Sequence, residues 1–277
     1  MKIHITTGDY FYIVEDLIHG LIHALKNDGC YKVTFGFNTL DKDAWNINIA
    51  STGLSLEQFK EVENKLIHYN LEQINQENYH GTSANHLATL RIGKVWDYSQ
   101  QNIDNLKIYG INAVYVPIGY TPEMTFIDSS GKQDIDVLFY GYETERRINT
   151  LNKIRELGLN VVTSNILNPT DQPWSNFYRD QLISRSKVVL NMHAYDTNTV
   201  FEFVRVSHLL ANKKAVVSEG SGIPGHLEKT VLAGDLEELP SFCKLLARDI
   251  QLRDLQEKRG FNIFSRYPYI NNINNAL

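Results

Sequence analysis

Apolar residues recur along the chain with two alternating periods. Ile3 and Ile5 alternate with polar neighbours, as one face of a strand does, and Val14, Leu17, Ile18, Leu21, Ile22 and Leu25 follow at the spacing of an amphipathic helix. Gly8, Asp9 and Tyr10 form the turn between them, and Asn27, Asp28 and Gly29 supply the helix stop. β-Branched and aromatic residues resume at 31–37, and further apolar runs at 45–50, 65–69, 94–98 and 113–117 are separated by polar or helical stretches. This strand–helix rhythm predicts a parallel sheet covered by helices.

Between residues 117 and 134 the texture changes to Gly119, Pro122, Ser129, Ser130 and Gly131, which reads as an interdomain linker. A second series then begins: a strand at 136–140, a turn at Gly141, a helix at 145–157 stopped by Gly158, a strand at 160–163, a strand at 187–192, a helix at 200–211 and a strand at 215–218. The fold class is therefore α/β, with two Rossmann-like βα domains at 1–125 and 134–265 whose carboxyl strand ends face a central cleft. The Asn-rich end, 266–277, reads as a tail, a last turn or frayed end.

Composition narrows the function classes. A length of 277 residues with 43% apolar content supports a real core. A formal charge of -5, with no Lys/Arg block longer than a pair, argues against a dedicated grip on duplex nucleic acid, although a local basic patch and a modified-base acceptor stay open. Cys30 and Cys243 stand alone in their segments, so neither a disulfide framework nor a CxxC metal site is indicated. The start lacks a signal-peptide apolar region and no run is long enough to span a bilayer, which predicts a cytoplasmic protein.

Two segments could carry chemistry. From Leu138 to Arg147 a strand runs through Gly141 into a helix, placing the Arg146 and Arg147 guanidiniums beside a helix N-terminus, an arrangement that suits a diphosphate. Solvated helix residues balancing Glu143 and Glu145 would look the same. In the second segment a buried strand ends at His193, Ala194, Tyr195 and Asp196, and Glu202 stands near the next helix start, where a carboxylate accepts ribose hydroxyls or simply partners the helix dipole. His193 is either a packed strand-end residue or a catalytic one. Ser218, Glu219, Gly220, Ser221 and Gly222 offer a phosphate-adjacent nest or a plain turn. In the N-terminal domain, Gly8, Asp9 and Tyr10 end the first strand and Glu72 follows another; Asp9 is read as a general base or a helix cap. No zinc site is expected from the remaining histidines, and Asp134 and Asp136, a literal DxD, enter a strand rather than end one, so they are read as coincidence.

The runs Lys94-Val95-Trp96-Asp97-Tyr98-Ser99 and Val116-Pro117-Ile118-Gly119-Tyr120, then Asp136 to Gly141 with Glu145-Arg146-Arg147, and Ser186 to His193 with Glu202, resemble small bacterial and phage glycosyltransferase-like proteins. These are similar to the spore-maturation (CgeB-like) and group 1 glycosyltransferases of the GT-B fold. The resemblance implies a glycosyltransferase, a hexosyltransferase-like enzyme that moves a sugar from a UDP- or GDP-linked donor to a hydroxyl on a glycan, glycoconjugate or modified nucleobase. It implies no cofactor and no metal, a diphosphate on Arg146 or Arg147, a ribose on Glu202, and an acceptor on the N-terminal domain, where Asp97 would help shape the cleft. Many retaining members carry a Glu eight residues before the ribose glutamate. Ala194 stands there here, so stereochemistry is not implied, and His193 or Asp196 takes part of that role. A nucleotide-sugar epimerase on the same fold and a non-catalytic nucleotide- or sugar-binding module are the alternatives.

Overall fold

The computed structural model describes residues 1–51, 53–75, 81–164, 176–197 and 199–277. His80, among the histidines for which no ligand role is expected, lies outside them. The chain divides into two compact units, Met1–Glu123 with Pro268–Leu277, and Met124–Tyr267.

The first unit runs β1 (Lys2–Thr7), α1 (Phe11–Asn27), β2 (Lys32–Phe37), β3 (Trp45–Asn48), α2 (Leu56–Lys60), β4 (Leu66–Asn70), α3 (Ala84–Leu90), β5 (Lys94–Asp97), α4 (Gln100–Ile108) and β6 (Ala113–Tyr115). Its six strands are parallel in the order β2-β1-β3-β4-β5-β6. Ile3 and Ile5 have no exposed surface and pair with Trp45 and Ile47, so the alternation in the sequence selects the buried face and with it the register. β6 stops at Tyr115, two residues before the end of its apolar run. Val116 still donates to the Asp97 carbonyl at 2.8 Å, but Pro117 has no N–H with which to extend the ladder.

The second unit runs β7 (Ile135–Tyr140), α5 (Glu145–Glu156), β8 (Val161–Ser164), α6 (Asn176–Arg185), β9 (Ser186–Asn191), α7 (Phe203–Ala211), β10 (Ala215–Glu219), β11 (Leu232–Gly234), α8 (Leu239–Arg248) and α9 (Ile250–Phe264). Its strands are parallel in the order β11-β10-β9-β7-β8. Val137, Phe139, Val188, Leu190, Ala215 and Val217, alternate residues of its three central strands, meet Leu151 and Ile154 of α5 and Leu239, Cys243 and Leu246 of α8 in one core. Helix α7 begins three residues later than its apolar pattern suggests. Val200 and Phe201 are buried in the preceding loop, and apolar burial without periodicity mimics a helix start.

Two expectations change. Part of the stretch read as a linker is docked: Asn212, capping α7, accepts the N–H groups of Phe126 and Ile127 at 2.9 and 2.8 Å and donates to the Met124 carbonyl at 3.0 Å. The stretch read as a tail instead forms α10 (Tyr269–Asn274) and packs into the first unit. Tyr269 and Ile273 have no exposed surface there, and the Tyr269 hydroxyl lies 3.2 Å from that of Tyr69. Asparagine-rich composition hid the helix because its two anchors are separated by polar residues. No helix among the described residues is long and apolar enough to cross a membrane.

Candidate functional site

In the second sheet the order reverses between β7 and β9, since β8 lies beyond β7 on one side and β10 and β11 beyond β9 on the other. Loops leaving the carboxyl ends of those two strands diverge, and ligands of doubly wound sheets sit in the crevice they leave. Arg146 and Arg147 follow β7, His193 and Glu202 follow β9, and Glu219 ends β10. Five separate sequence candidates thus converge.

The two arginines have different environments. Arg147 is 3% exposed; its Nε donates to the His193 carbonyl at 3.2 Å, its Nη1 to the Tyr142 carbonyl at 2.8 Å, and its Nη2 to the Met192 carbonyl and to Glu202 Oε1, the latter at 3.2 Å. The guanidinium also stacks 5.2 Å from the Phe139 ring centroid. Arg147 therefore holds the two loops in place. Burial pulls its pKa down to about 10, against the attraction of Glu202, so it stays charged at neutral pH. Arg146 grips Glu219 with both terminal nitrogens, at 2.8 and 2.5 Å, and gives its Nε to Asp196. Those bonds, to Glu219 first, raise its pKa against the cost of burial. Asp196 is 85% exposed, so this partner can be displaced.

Glu202 is the N-cap residue of α7, but its side chain makes no cap bond. It faces Arg147 and, at 3.1 Å, the Nη2 of Arg205. Burial opposes its charge, but Arg205 and Arg147 outweigh that and hold its pKa below the ordinary carboxylate value. Arg205 also donates to Asn191 Oδ1 at 2.9 Å and covers the Tyr140 ring at 5.4 Å. Neither Arg205 nor Asn191 stood out in the sequence. The available signal was the i,i+3 spacing of Glu202 and Arg205. Gly141, at φ +145°, is needed here, because a Cβ would come within 3.1 Å of the Arg205 guanidinium.

His193 is 2% exposed, with its N–H on Glu219 Oε2 at 2.6 Å and its Nε2 2.8 Å from Ser221 Oγ. Among the described residues its Nδ1 is buried without a hydrogen-bond partner, and burial lowers its pKa despite Glu219 and Glu202. The turn after β10 is not an open nest: Gly220 donates its N–H to the Gly234 carbonyl at 3.0 Å, and Ser218 is buried, bonded to Asn191 and to the Glu219 carbonyl. Thr144 caps α5 by accepting the Arg147 N–H, and beside that helix start lies a cavity of about 380 Å³ lined by Arg146, Asn149, Lys153 and Asp196.

Elsewhere, Asp134 pairs with Arg185 at 2.8 Å and Asp136 with Lys187 at 2.6 Å, at the amino end of β7 and away from the site. In the first unit Gly8 is buried while Asp9 and Tyr10 are exposed at the start of α1, whose N-cap makes no side-chain bond. The capping role weighed for Asp9 is not taken up. Glu72 is exposed, whereas Asp97 has no exposed surface and accepts bonds from Asn70, Ser99 and Asn102. His19 and His23 do stand one turn apart on α1; both are exposed, and no third ligand groups with them among the described residues.

No protein-family model matches the sequence. It is 27% identical over 157 residues to an uncharacterized protein of Acanthamoeba polyphaga mimivirus, a match that spans 54% of this chain and about half (52%) of that relative. Among solved structures, the T4 phage beta-glucosyltransferase superposes with a TM-score of 0.63 at 15% identity, over 100% of this chain and 99% of that one. An alpha-glucosyltransferase solved with UDP and a 13-mer DNA gives 0.64 at 10% identity, over 96% of each chain. The fold is therefore that of the GT-B glycosyltransferases.

Proposed function

We propose that this chain is a glycosyltransferase that moves a sugar from a UDP-linked donor to a hydroxyl acceptor. The observation carrying the reading is the convergence of Arg146, His193, Glu202 and Glu219 at the β7/β9 reversal, on a fold shared with enzymes solved with UDP or UDP-glucose. Three guanidiniums, Arg146, Arg147 and Arg205, balance three carboxylates, Asp196, Glu202 and Glu219. A diphosphate entering this neutral cluster displaces exposed Asp196 from Arg146, and the freed Nε–H with the first-turn N–H groups of α5 takes its oxygens. Glu202, already charged and oriented, accepts the ribose hydroxyls with the lone pairs its two arginines leave free. His193 and Ser221 line the sugar side. These fixed positive groups stabilise the leaving diphosphate without a metal. The acceptor binds the first unit, and a modified nucleobase in DNA is one acceptor to try, since one neighbour is a DNA-modifying beta-glucosyltransferase and another was solved with a 13-mer DNA.

Calorimetric titration with UDP and UDP-glucose tests the donor site. Glu202→Ala and Arg146→Ala are each expected to weaken binding at least tenfold, and unchanged affinity in both variants would overturn the assignment. UDP release that persists in a metal chelator is expected; a strict manganese requirement would remove the metal-free part. Conversion of the donor to an epimer without any acceptor would replace transfer by epimerisation.

A further inference from the structure

The first sheet has a strand-order reversal of its own. β2 lies on one side of β1 and β3 to β6 lie on the other, so the loops leaving the carboxyl ends of β1 and β3 diverge, the place where doubly wound sheets hold ligands. Aromatic side chains gather at that corner. Phe11, at the start of α1, and Phe35 and Phe37, on one face of β2, form a triangle of rings with centroids 5.7, 5.2 and 5.2 Å apart. The group is open to solvent: Phe37 is 54% exposed, and Tyr10, next to Phe11 in the chain, is 52% exposed. Polar groups without partners accompany the rings. Thr7, the register partner of Phe37, has no exposed surface, and its Oγ1 makes no hydrogen bond among the described residues. Asn38 follows Phe37 at φ +48°, and Ala50 follows β3 at φ +53°, left-handed conformations that residues with a Cβ hold at a cost. Asn38 Oδ1 accepts from Ser51 Oγ at 2.6 Å and from the Gly53 N–H at 3.2 Å, which fixes the amide and leaves Nδ2 as a donor without a partner among the described residues. Asp9 adds an exposed carboxylate. The charge of the corner is one-sided: no lysine or arginine occurs at 3–25, 33–41 or 43–59, the segments that build it, whereas Asp9, Glu15 and Asp16 lie in the first of them.

We infer that this corner of the first unit binds a neutral saccharide. A sugar ring presents a face of polarised C–H bonds that packs on the negative face of an aromatic ring, and a rim of hydroxyls that both donate and accept. Phe37 and Tyr10 supply the rings, the Asp9 carboxylate accepts from the hydroxyls, and Asn38 Nδ2 donates to them. Nucleic acid is the contrasting ligand. Its bases also stack on aromatic rings, but its phosphates need lysines or arginines alongside, and a carboxylate repels them. Binding at this corner does not depend on the transferase reading; where that reading holds, a glycan rather than a nucleic acid is the acceptor class.

The test uses the full chain. Saturation-transfer NMR with cellohexaose, maltohexaose and chitohexaose, and with a duplex DNA oligomer, identifies the class that binds, and calorimetry with UDP on the same samples reports on the second unit. At least one oligosaccharide is expected to receive saturation, with a Kd that rises about tenfold in Phe37→Ala and in Tyr10→Ala while UDP affinity stays within about twofold of wild type. Asp9→Asn changes only an exposed side chain, so it leaves folding intact, and it should weaken the saccharide about threefold. Saturation of none of the three oligosaccharides, or an affinity unchanged in both aromatic variants, overturns the inference, and so does binding of the DNA oligomer that Phe37→Ala and Tyr10→Ala abolish. Saccharide binding by a chain that takes no UDP removes the transferase reading and leaves this one standing.

Discussion

At the scale of single residues, adjacent side chains of the same type do different work. Arg147 satisfies three backbone carbonyls and one carboxylate inside the protein, whereas Arg146 splits its bonds between buried Glu219 and Asp196, which is nearly all solvent. Arg147→Ala leaves those carbonyls and half of the Glu202 pairing unmet, so a loss of about 3–5 kcal/mol is expected in a denaturant titration. Arg146→Ala leaves buried Glu219 without its cation and is also expected to cost stability, but it should weaken UDP binding far more than Arg147→Ala does. Equal effects of the two in both measurements would refute the division of roles. A second buried cation makes a pH prediction. Lys214 is 2% exposed, bonded to the Ser186 carbonyl at 2.7 Å, and burial lowers its pKa from 10.5 to about 8. Between those two values the unfolded chain binds the proton more tightly than the folded one, so stability from this residue rises with pH, by up to about 1.4 kcal/mol per unit, and is flat below about 8. The difference in unfolding free energy between wild type and Lys214→Met, followed from pH 7 to 10, should show that slope. A flat difference would mean Lys214 is not desolvated.

At the scale of elements, the site depends on how chain segments start and stop. Thr144 caps α5 at the point where Arg146 and Arg147 emerge, and Thr144→Ala is expected to cost about 1 kcal/mol in thermal unfolding. Gly222 sits at φ +71°, and a Cβ there would lie 1.9 Å from the Thr199 carbonyl oxygen. Gly222→Ala must therefore push apart the loops that carry His193, Ser221 and Glu202, and should weaken UDP binding more than Thr144→Ala does. The glycine turn after β7, the strand ends and the α5 helix were legible because local pattern governs them. The late start of α7 was not, because buried Val200 and Phe201 carry the apolar signature without the helical hydrogen bonds.

For the whole molecule, the informative feature is that the chain leaves the first unit at Glu123 and comes back to it at Pro268. Tyr269 is fully buried and bonded to Tyr69, so Tyr269→Ala should destabilise the first unit by about 3 kcal/mol or more. Hydrogen-exchange protection should fall in β4 and β5 and persist in β7 and β9; uniform loss across both sheets would contradict this.

Residue order alone determined the two parallel α/β series, the strands that end at candidate residues, and the arginine pair at a helix start, since hydrophobic periodicity and turn chemistry act over a few neighbouring residues. Tertiary structure decided what those residues are bonded to. Strand order, a property of long-range pairing, set β7 beside β9 and so brought Arg147 to Glu202, fifty-five positions away. It buried Asp97 and committed its oxygens to neighbours, and left Asp9 in solvent. Burial and hydrogen-bond partners determine which of several chemically similar side chains is held charged, which is held neutral and which is free to react. Those quantities depend on contacts between segments far apart in the chain.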